Sequence, residues 1–249
     1  MGFNPFSLVG KNILVTGASS GIGQAIAIEC SKMGAIVILV ARNQERLAET
    51  MAQMVGEGHS MFSVDLSKEE EIDNMVMNLP ALNGLVHCAG IGPHVPFKFV
   101  NKTKLDEVFA VNYFAPTLLS QKLLKAKKIS KQSSIVFISS ISGNCIASSA
   151  SSIYCSTKAA IGGLVKAMAV DLAPQGIRVN SISPGAIRTA IFNSGEISDE
   201  QLKEEEQRYL LKRLGKPEEI AYATIYLLSD ASAWTTGTNM IVDGGYTTL

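Results

Sequence analysis

Tyr154 and Lys158 stand four residues apart in the stretch SSIYCSTKAA. On a helix, that spacing puts both side chains on one face. A phenol titrates near pH 10 in water, so alone it is a poor proton donor or acceptor at neutral pH. Lowering that value by about three units takes roughly 4 kcal/mol of added phenolate stabilisation. A cation about 4 Å away, at an effective dielectric near 20, supplies roughly that much. The pair therefore has the makings of a general acid/base, with Lys158 tuning the proton affinity of Tyr154. The same spacing also occurs by chance on many solvated helices, so its meaning depends on what positions it.

Short β-branched runs alternate with helical patterns along nearly the whole chain. NILVT, IVILV, SMFSV, GLVHC, SIVFIS, IRVNSIS and NMIVD predict seven strands. Helical segments at 22–33, 44–55, 68–79, 104–125 and 153–173 lie between them. The strand runs are almost continuously apolar, as expected where both faces of a parallel sheet are covered. The pattern predicts an α/β fold, a single-domain, doubly wound, mostly parallel seven-stranded sheet of the Rossmann type with helices on both faces. A chain of 249 residues, 47% of them hydrophobic, can bury one full core, and no linker or repeat interrupts it. The one long departure is 187–215, whose SGEISDEQLKEEEQ portion is polar. An excursion over the surface, covering the substrate, is the expectation there.

Charge excludes some partners. Lys plus Arg and Asp plus Glu each number 22, so no net field draws nucleic acid or a membrane surface. MGFNPFSLVGK lacks the charged start and long apolar run of a signal peptide, which makes the cytoplasm the expected location. Cys30, Cys88, Cys145 and Cys155 are scattered without metal or redox spacing, so no metal is expected.

The first strand runs directly into TGASSGIG and then into a helix. Gly17, Gly21 and Gly23 permit a tight turn and close approach of backbone to a ligand, Ser19 and Ser20 offer hydroxyls, and Ile22 opens the helix. A helix N-terminus behind such a turn suits a pyrophosphate. The second strand ends in LVARN, where Ala41 leaves room and Arg42 offers a guanidinium suited to a 2′-phosphate. An acidic residue there would instead hold the ribose hydroxyls. NADP(H) is the preferred cofactor on this reading. NAD(H) stays open, because Ser20 is neutral where a second cation would help.

These residues together resemble the short-chain dehydrogenase/reductase family in its single-domain form. The resemblance runs from Lys11 to Asp243: TGASSGIG, Asp65 after the third strand, CAG at 88–90, Asn112, Ser140, Tyr154 with Lys158, and PGAIRT at 184–189. It implies hydride transfer between a nicotinamide and a carbonyl or secondary alcohol. Tyr154 would be the general acid/base, Lys158 would hold the nicotinamide ribose and lower the tyrosine pKa, and Ser140 would bond the substrate oxygen. Asn112 would hold a water linking Lys158 to solvent. Asp65, with Leu66 after it, would bind the adenine, and Ala89 and Gly90 would pack beside the adenosine ribose. Pro184 and Gly185 lead to Ile187 and Thr189, which would fix the nicotinamide carboxamide. A homotetramer paired through 104–125, 153–173 and the last strand is also implied.

Alternatives remain at several points. Ser139 competes with Ser140, since alternation turns only one toward the site. His87 could satisfy the loop backbone where the family often has asparagine. His94, in the loop after the fourth strand, reads as a solvated histidine. Five lysines between 122 and 131 read first as a helix C-terminus solvated by cations, and otherwise could dock an acyl carrier protein, which would make the chain a 3-oxoacyl-carrier-protein reductase. Gln175 speaks against that, standing where many such reductases have arginine. A dinucleotide-sensing binding module without catalysis is the competing class.

Overall fold

The computed structural model describes residues 4–189 and 198–248. Seven strands form one parallel sheet: β1 (Asn12–Thr16), β2 (Ile36–Ala41), β3 (Ser60–Ser63), β4 (Leu82–His87), β5 (Ile129–Ile138), β6 (Arg178–Pro184) and β7 (Asn239–Val242). Their spatial order is β3-β2-β1-β4-β5-β6-β7. Every pairing is parallel, so the sheet expected to be mostly parallel is wholly so. The chain winds outward from β1 to β3, then crosses back to place β4 on the other side of β1. That reversal opens a crevice at the C-terminal ends of β1 and β4, where open α/β sheets bind their ligands.

The core explains why the strand sequences are apolar on both sides. Ile13, Val15, Val37 and Leu39 pack into one cluster with α1 (Gly21–Lys32) and α9 (Pro217–Leu228). Their neighbours Leu14, Ile38 and Val40 pack into the other, with α3 (Glu69–Asn78), α5 (Ala115–Lys125) and α7 (Ser152–Leu172). Each such buried side chain contributes roughly 1.5–3 kcal/mol relative to exposure. A one-residue slip of any central strand would exchange its two faces.

Two expectations about helices change. The 44–55 segment is helical only as α2 (Gln44–Met51), after which turns lead to Val55, whose N–H donates to the Ser31 hydroxyl at 3.0 Å. The 104–125 segment is not one helix. α4 (Lys102–Phe109) and α5 are joined by a π-turn over Ala110–Phe114. Pro116 supplies the reason, since it has no N–H to return to the Asn112 carbonyl four residues earlier. Single-turn π-bulges of this kind are frequent at functional sites. The remaining described helices are a kinked turn, α6 (Ile141–Asn144), and α8 (Asp199–Gln207). Of the polar excursion expected at 187–215, residues 190–197 lie outside the described residues.

Candidate active site and cofactor cleft

A cleft of about 1140 Å³ runs along the C-terminal ends of the strands. Its floor is the turn after β1, where Gly17 has φ 68° and a Cβ would come within 2.9 Å of the Ala89 backbone. A Cβ on Gly23 would run into the Gly17 carbonyl oxygen. Ser19, Ser20, Gly21 and Ile22 line the cleft above this turn, at the N-terminus of α1. Thr16, absent from the sequence-based set, pins the far wall. Its buried hydroxyl donates to the Val86 carbonyl (3.3 Å) and accepts from the N–H groups of Cys88 (3.0 Å) and Ala89 (3.2 Å). Ala89 and Gly90 are thereby fixed against the glycine turn. A threonine ending a strand just before the first glycine was the available clue.

One end of the cleft is charged. Arg42, Asp65 and Leu66 line it, and so does Arg46. Asn43 caps α2 by accepting from the Arg46 N–H at 2.9 Å, which puts Arg46 in the first helical turn. An arginine in the first turn of the helix that follows LVARN is the clue the sequence offers for Arg46. Asp65 accepts from the hydroxyl (2.7 Å) and N–H (3.0 Å) of Ser67. Those bonds hold its carboxyl below the ordinary range, with a smaller pull from Arg42. The residues fit a dinucleotide phosphate: a glycine cradle at a helix N-terminus, then two guanidinium groups.

The other end gathers Ser140, Tyr154 and Lys158. Tyr154 and Lys158 sit in successive turns of α7, with the ammonium 5.7 Å from the phenol ring centre. Lys158 is buried and donates to the Ile138 carbonyl at 2.8 Å. Burial brings its pKa down to about 8. Burial likewise raises the phenol of Tyr154, and hydrogen bonding with Ser140 offsets part of that rise. The expected lowering of the tyrosine pKa by Lys158 is therefore not what the protein alone produces. Loss of phenolate solvation is the largest influence on the phenol, and the hydrogen bond with Ser140 is the one that opposes it.

Alternation settles where the two serines point. The Ser139 hydroxyl is buried, donating to the Lys158 carbonyl (3.1 Å) and accepting from Asn144 (2.9 Å). The Ser140 hydroxyl accepts from the Ser142 N–H at 3.0 Å and lies against the phenol. Asn112 stands behind the wall rather than in it. Its amide accepts from the Ile91 N–H (2.8 Å) and donates to the Ile91 carbonyl (2.8 Å) and the Thr157 hydroxyl (3.1 Å). It braces the loop after β4 against α7. Pro184 and Gly185 end β6 at the cleft, Ile187 bridges to Gly215, and Thr189 reaches the glycine turn. The Thr189 methyl lies 3.3 Å from where a Cβ on Gly21 would be.

Other candidates fall elsewhere. His87 does not serve the loop backbone, a task done by Thr16. It points to the opposite face of β4, bonds Ser120 at 2.8 Å and stacks on Phe137. Burial pushes its pKa down to about 3. Burial also pushes the Cys88 thiol up to about 12. The five lysines and Gln175 lie where α5 leads into β5 and α7 into β6, at the N-terminal ends of the strands. That is the end away from the cleft, and Lys122 is already paired with Asp73 at 2.7 Å. Among the described residues no group of acidic, histidine or cysteine side chains could hold a metal ion.

The family profile described as enoyl-(acyl carrier protein) reductase matches residues 17–247. The chain belongs to the short-chain dehydrogenase/reductase family. This short-chain dehydrogenase/reductase is 33% identical over 247 residues to L-xylulose reductase of Caenorhabditis elegans, covering 97% of each chain. It is 32% identical over 241 residues to 3-oxoacyl-[acyl-carrier-protein] reductase of Rickettsia felis, covering 96% of this chain and 97% of that one. A solved structure from Agrobacterium tumefaciens, described as a candidate gluconate dehydrogenase, superposes with a TM-score of 0.92 at 27% identity, covering 99% of this chain and all of that one. A second, described as a short chain dehydrogenase/reductase family protein, has a TM-score of 0.84 at 29% identity and covers 96% of this chain and 99% of that one. This short-chain dehydrogenase/reductase is thus an oxidoreductase of a family that uses nicotinamide dinucleotides. No helix among its described residues is long and apolar enough to cross a membrane.

Proposed function

We propose that this enzyme transfers hydride between NADP(H) and a carbonyl or secondary alcohol, with Tyr154 as general acid/base. One observation carries the reading: a single cleft has Tyr154, Lys158 and Ser140 at one end, the glycine turn in its floor, and Arg42 with Arg46 at the other. When bound, the nicotinamide supplies or accepts the hydride. Ser140 donates to the substrate oxygen and strengthens that bond as negative charge develops there. Tyr154, kept protonated by burial, passes its proton to the same oxygen in reduction and takes it back in oxidation. Lys158 holds the nicotinamide ribose and returns a proton to Tyr154 from a water at the Asn112 carbonyl, the carbonyl Pro116 cannot bond.

Ala41, Ser19, Ser20, Gly21, Ile22 and Gly23 bind the phosphates and adenosine with Arg42 and Arg46. Asp65 and Leu66 hold the adenine, Ala89 and Gly90 the adenosine ribose, and Ile187 and Thr189 the carboxamide. Two guanidinium groups favour NADP(H) over NAD(H) through charge-assisted bonds to a 2′-phosphate. A carrier-bound 3-oxoacyl thioester is the second substrate reading, favoured by the Rickettsia relative. We place the enzyme in the cytoplasm as a homotetramer. Phe114 and Val170 are exposed on the outer side of the α5 and α7 region, and Trp234 and Ile241 at the β7 edge, which supports pairing through both.

The test is cofactor consumption with NADPH and NADH over ketones, aldehydes, sugars and 3-oxoacyl thioesters. NADPH-dependent turnover of one class, at least tenfold above NADH, is expected. Tight cofactor binding with no turnover on any class would instead make the protein a dinucleotide sensor.

A further inference from the structure

Past Tyr154 the cleft continues into a wall that the acid/base set does not use. Ser142, Ser148, Ser151 and His94 line it. The buried Ser151 hydroxyl donates to the Ser148 carbonyl (2.6 Å) and accepts from the Ser148 N–H (3.2 Å). These two bonds close a turn in which Ala150 is held at φ 60°. A side chain with a Cβ pays on the order of 1 kcal/mol or more for that left-handed backbone, and such strain collects at ligand clamps. The buried Val95 donates its N–H to the Ala150 carbonyl at 2.7 Å, tying the turn to the loop that carries His94. A strained turn is thus locked from two sides at the rim of the cleft.

Three polar groups are presented by this arrangement. The Ser142 and Ser148 hydroxyls have no protein hydrogen-bond partner among the described residues, although the backbone of each is bonded. His94 stands exposed on the tied loop and lines the same cleft. Of the charged lining residues, Arg42, Arg46 and Asp65 belong to the other end of the cleft, and Lys158 is buried beside Tyr154, where its ammonium donates to the Ile138 carbonyl. Ile91, Pro93 and Val111 also line the cleft and give it apolar surface.

Resting on the reductase reading above, we propose that this wall selects an uncharged, polyhydroxylated ketone, with Ser142 and Ser148 bonding its hydroxyl groups. Sites built to hydrogen-bond a substrate hydroxyl reject analogues lacking it far more strongly than apolar pockets reject an extra group. An acyl chain seated here would cover the two serine hydroxyls without pairing them. A phosphate or carboxylate would meet no lysine or arginine among the described residues of the wall.

The experiment measures kcat/KM with NADPH for a ketopentose, a ketohexose, 2-pentanone and a 3-oxoacyl thioester, in the wild type and in Ser142→Ala/Ser148→Ala. Both substitutions keep the backbone bonds that hold Ser140 and the turn. The wild type is expected to favour a polyhydroxylated ketone over 2-pentanone by at least a hundredfold. Loss of two hydrogen bonds should cut that ratio about tenfold or more. Preference for 2-pentanone or the thioester, or a ratio unchanged in the double variant, overturns the proposal. If the favoured substrate still needs Tyr154, the reductase reading survives that result; turnover of none of the four by the wild type overturns the proposal, and absence of turnover on aldehydes and secondary alcohols as well overturns the reductase reading.

Discussion

Replacing Asn112 by alanine should cost far more stability than its small side chain implies. The amide is buried and makes three hydrogen bonds, two to the Ile91 backbone and one to Thr157. A typical intramolecular hydrogen bond contributes about 1 kcal/mol net, and partners left buried without a bond cost more. Asn112→Ala should therefore destabilise the fold by about 3 kcal/mol or somewhat more. For a domain of this size that corresponds to a melting temperature lower by about 6–12 °C. Asn101 provides the control: it is an exposed cap of α4 that accepts one bond, from the Lys104 N–H at 3.0 Å. Asn101→Ala should cost only about 1 kcal/mol. Thermal and urea unfolding by circular dichroism read both variants. Equal losses in the two, or a shift below 2 °C for Asn112→Ala, would refute the claim that Asn112 braces the loop after β4 against α7.

Other consequences are equally direct. His87 is neutral in the fold, with its pKa taken from 6.5 to about 3 by burial, so the unfolded chain binds the extra proton between those values. Stability is full above about pH 6.5 and falls as pH drops toward 3, by about 2 kcal/mol at pH 5 from this residue. His87→Asn should lose correspondingly less between pH 7.5 and 5 in urea titrations; parallel losses would exclude His87 as the source. Gly23→Ala should weaken dinucleotide binding at least tenfold in a fluorescence titration, because its Cβ displaces the Gly17 carbonyl; unchanged affinity would show that the turn yields. Arg46→Ala should reduce NADPH affinity several-fold while leaving NADH affinity within twofold, and equal losses for both would remove Arg46 from phosphate recognition.

Much of this was legible in the chain because the signals are local. Apolar runs such as IVILV become central strands with both faces covered, and the glycine spacing of TGASSGIG marks a turn whose Cβ collisions the structure makes explicit. What the sequence concealed depends on distant contacts. Thr16 matters because it meets Cys88 and Ala89, some seventy residues away. The break at Asn112 could have been read from Pro116, but the bracing of Ile91 could not. The direction of the Tyr154 shift is not legible in the sequence, because periodicity gives the spacing of two side chains and not their desolvation. The lysine cluster suits a solvated helix end or a docking face from sequence alone, and only the topology shows that it lies at the end of the sheet away from the cleft.

The most direct test of the central claim is Tyr154→Phe, measured for NADPH binding and for turnover in one preparation. Affinity should stay within about threefold of wild type while turnover falls by roughly a hundredfold to ten-thousandfold, the usual worth of a positioned proton donor. Turnover retained within tenfold, with binding intact, would show that the proton reaches the substrate oxygen by some route other than this phenol.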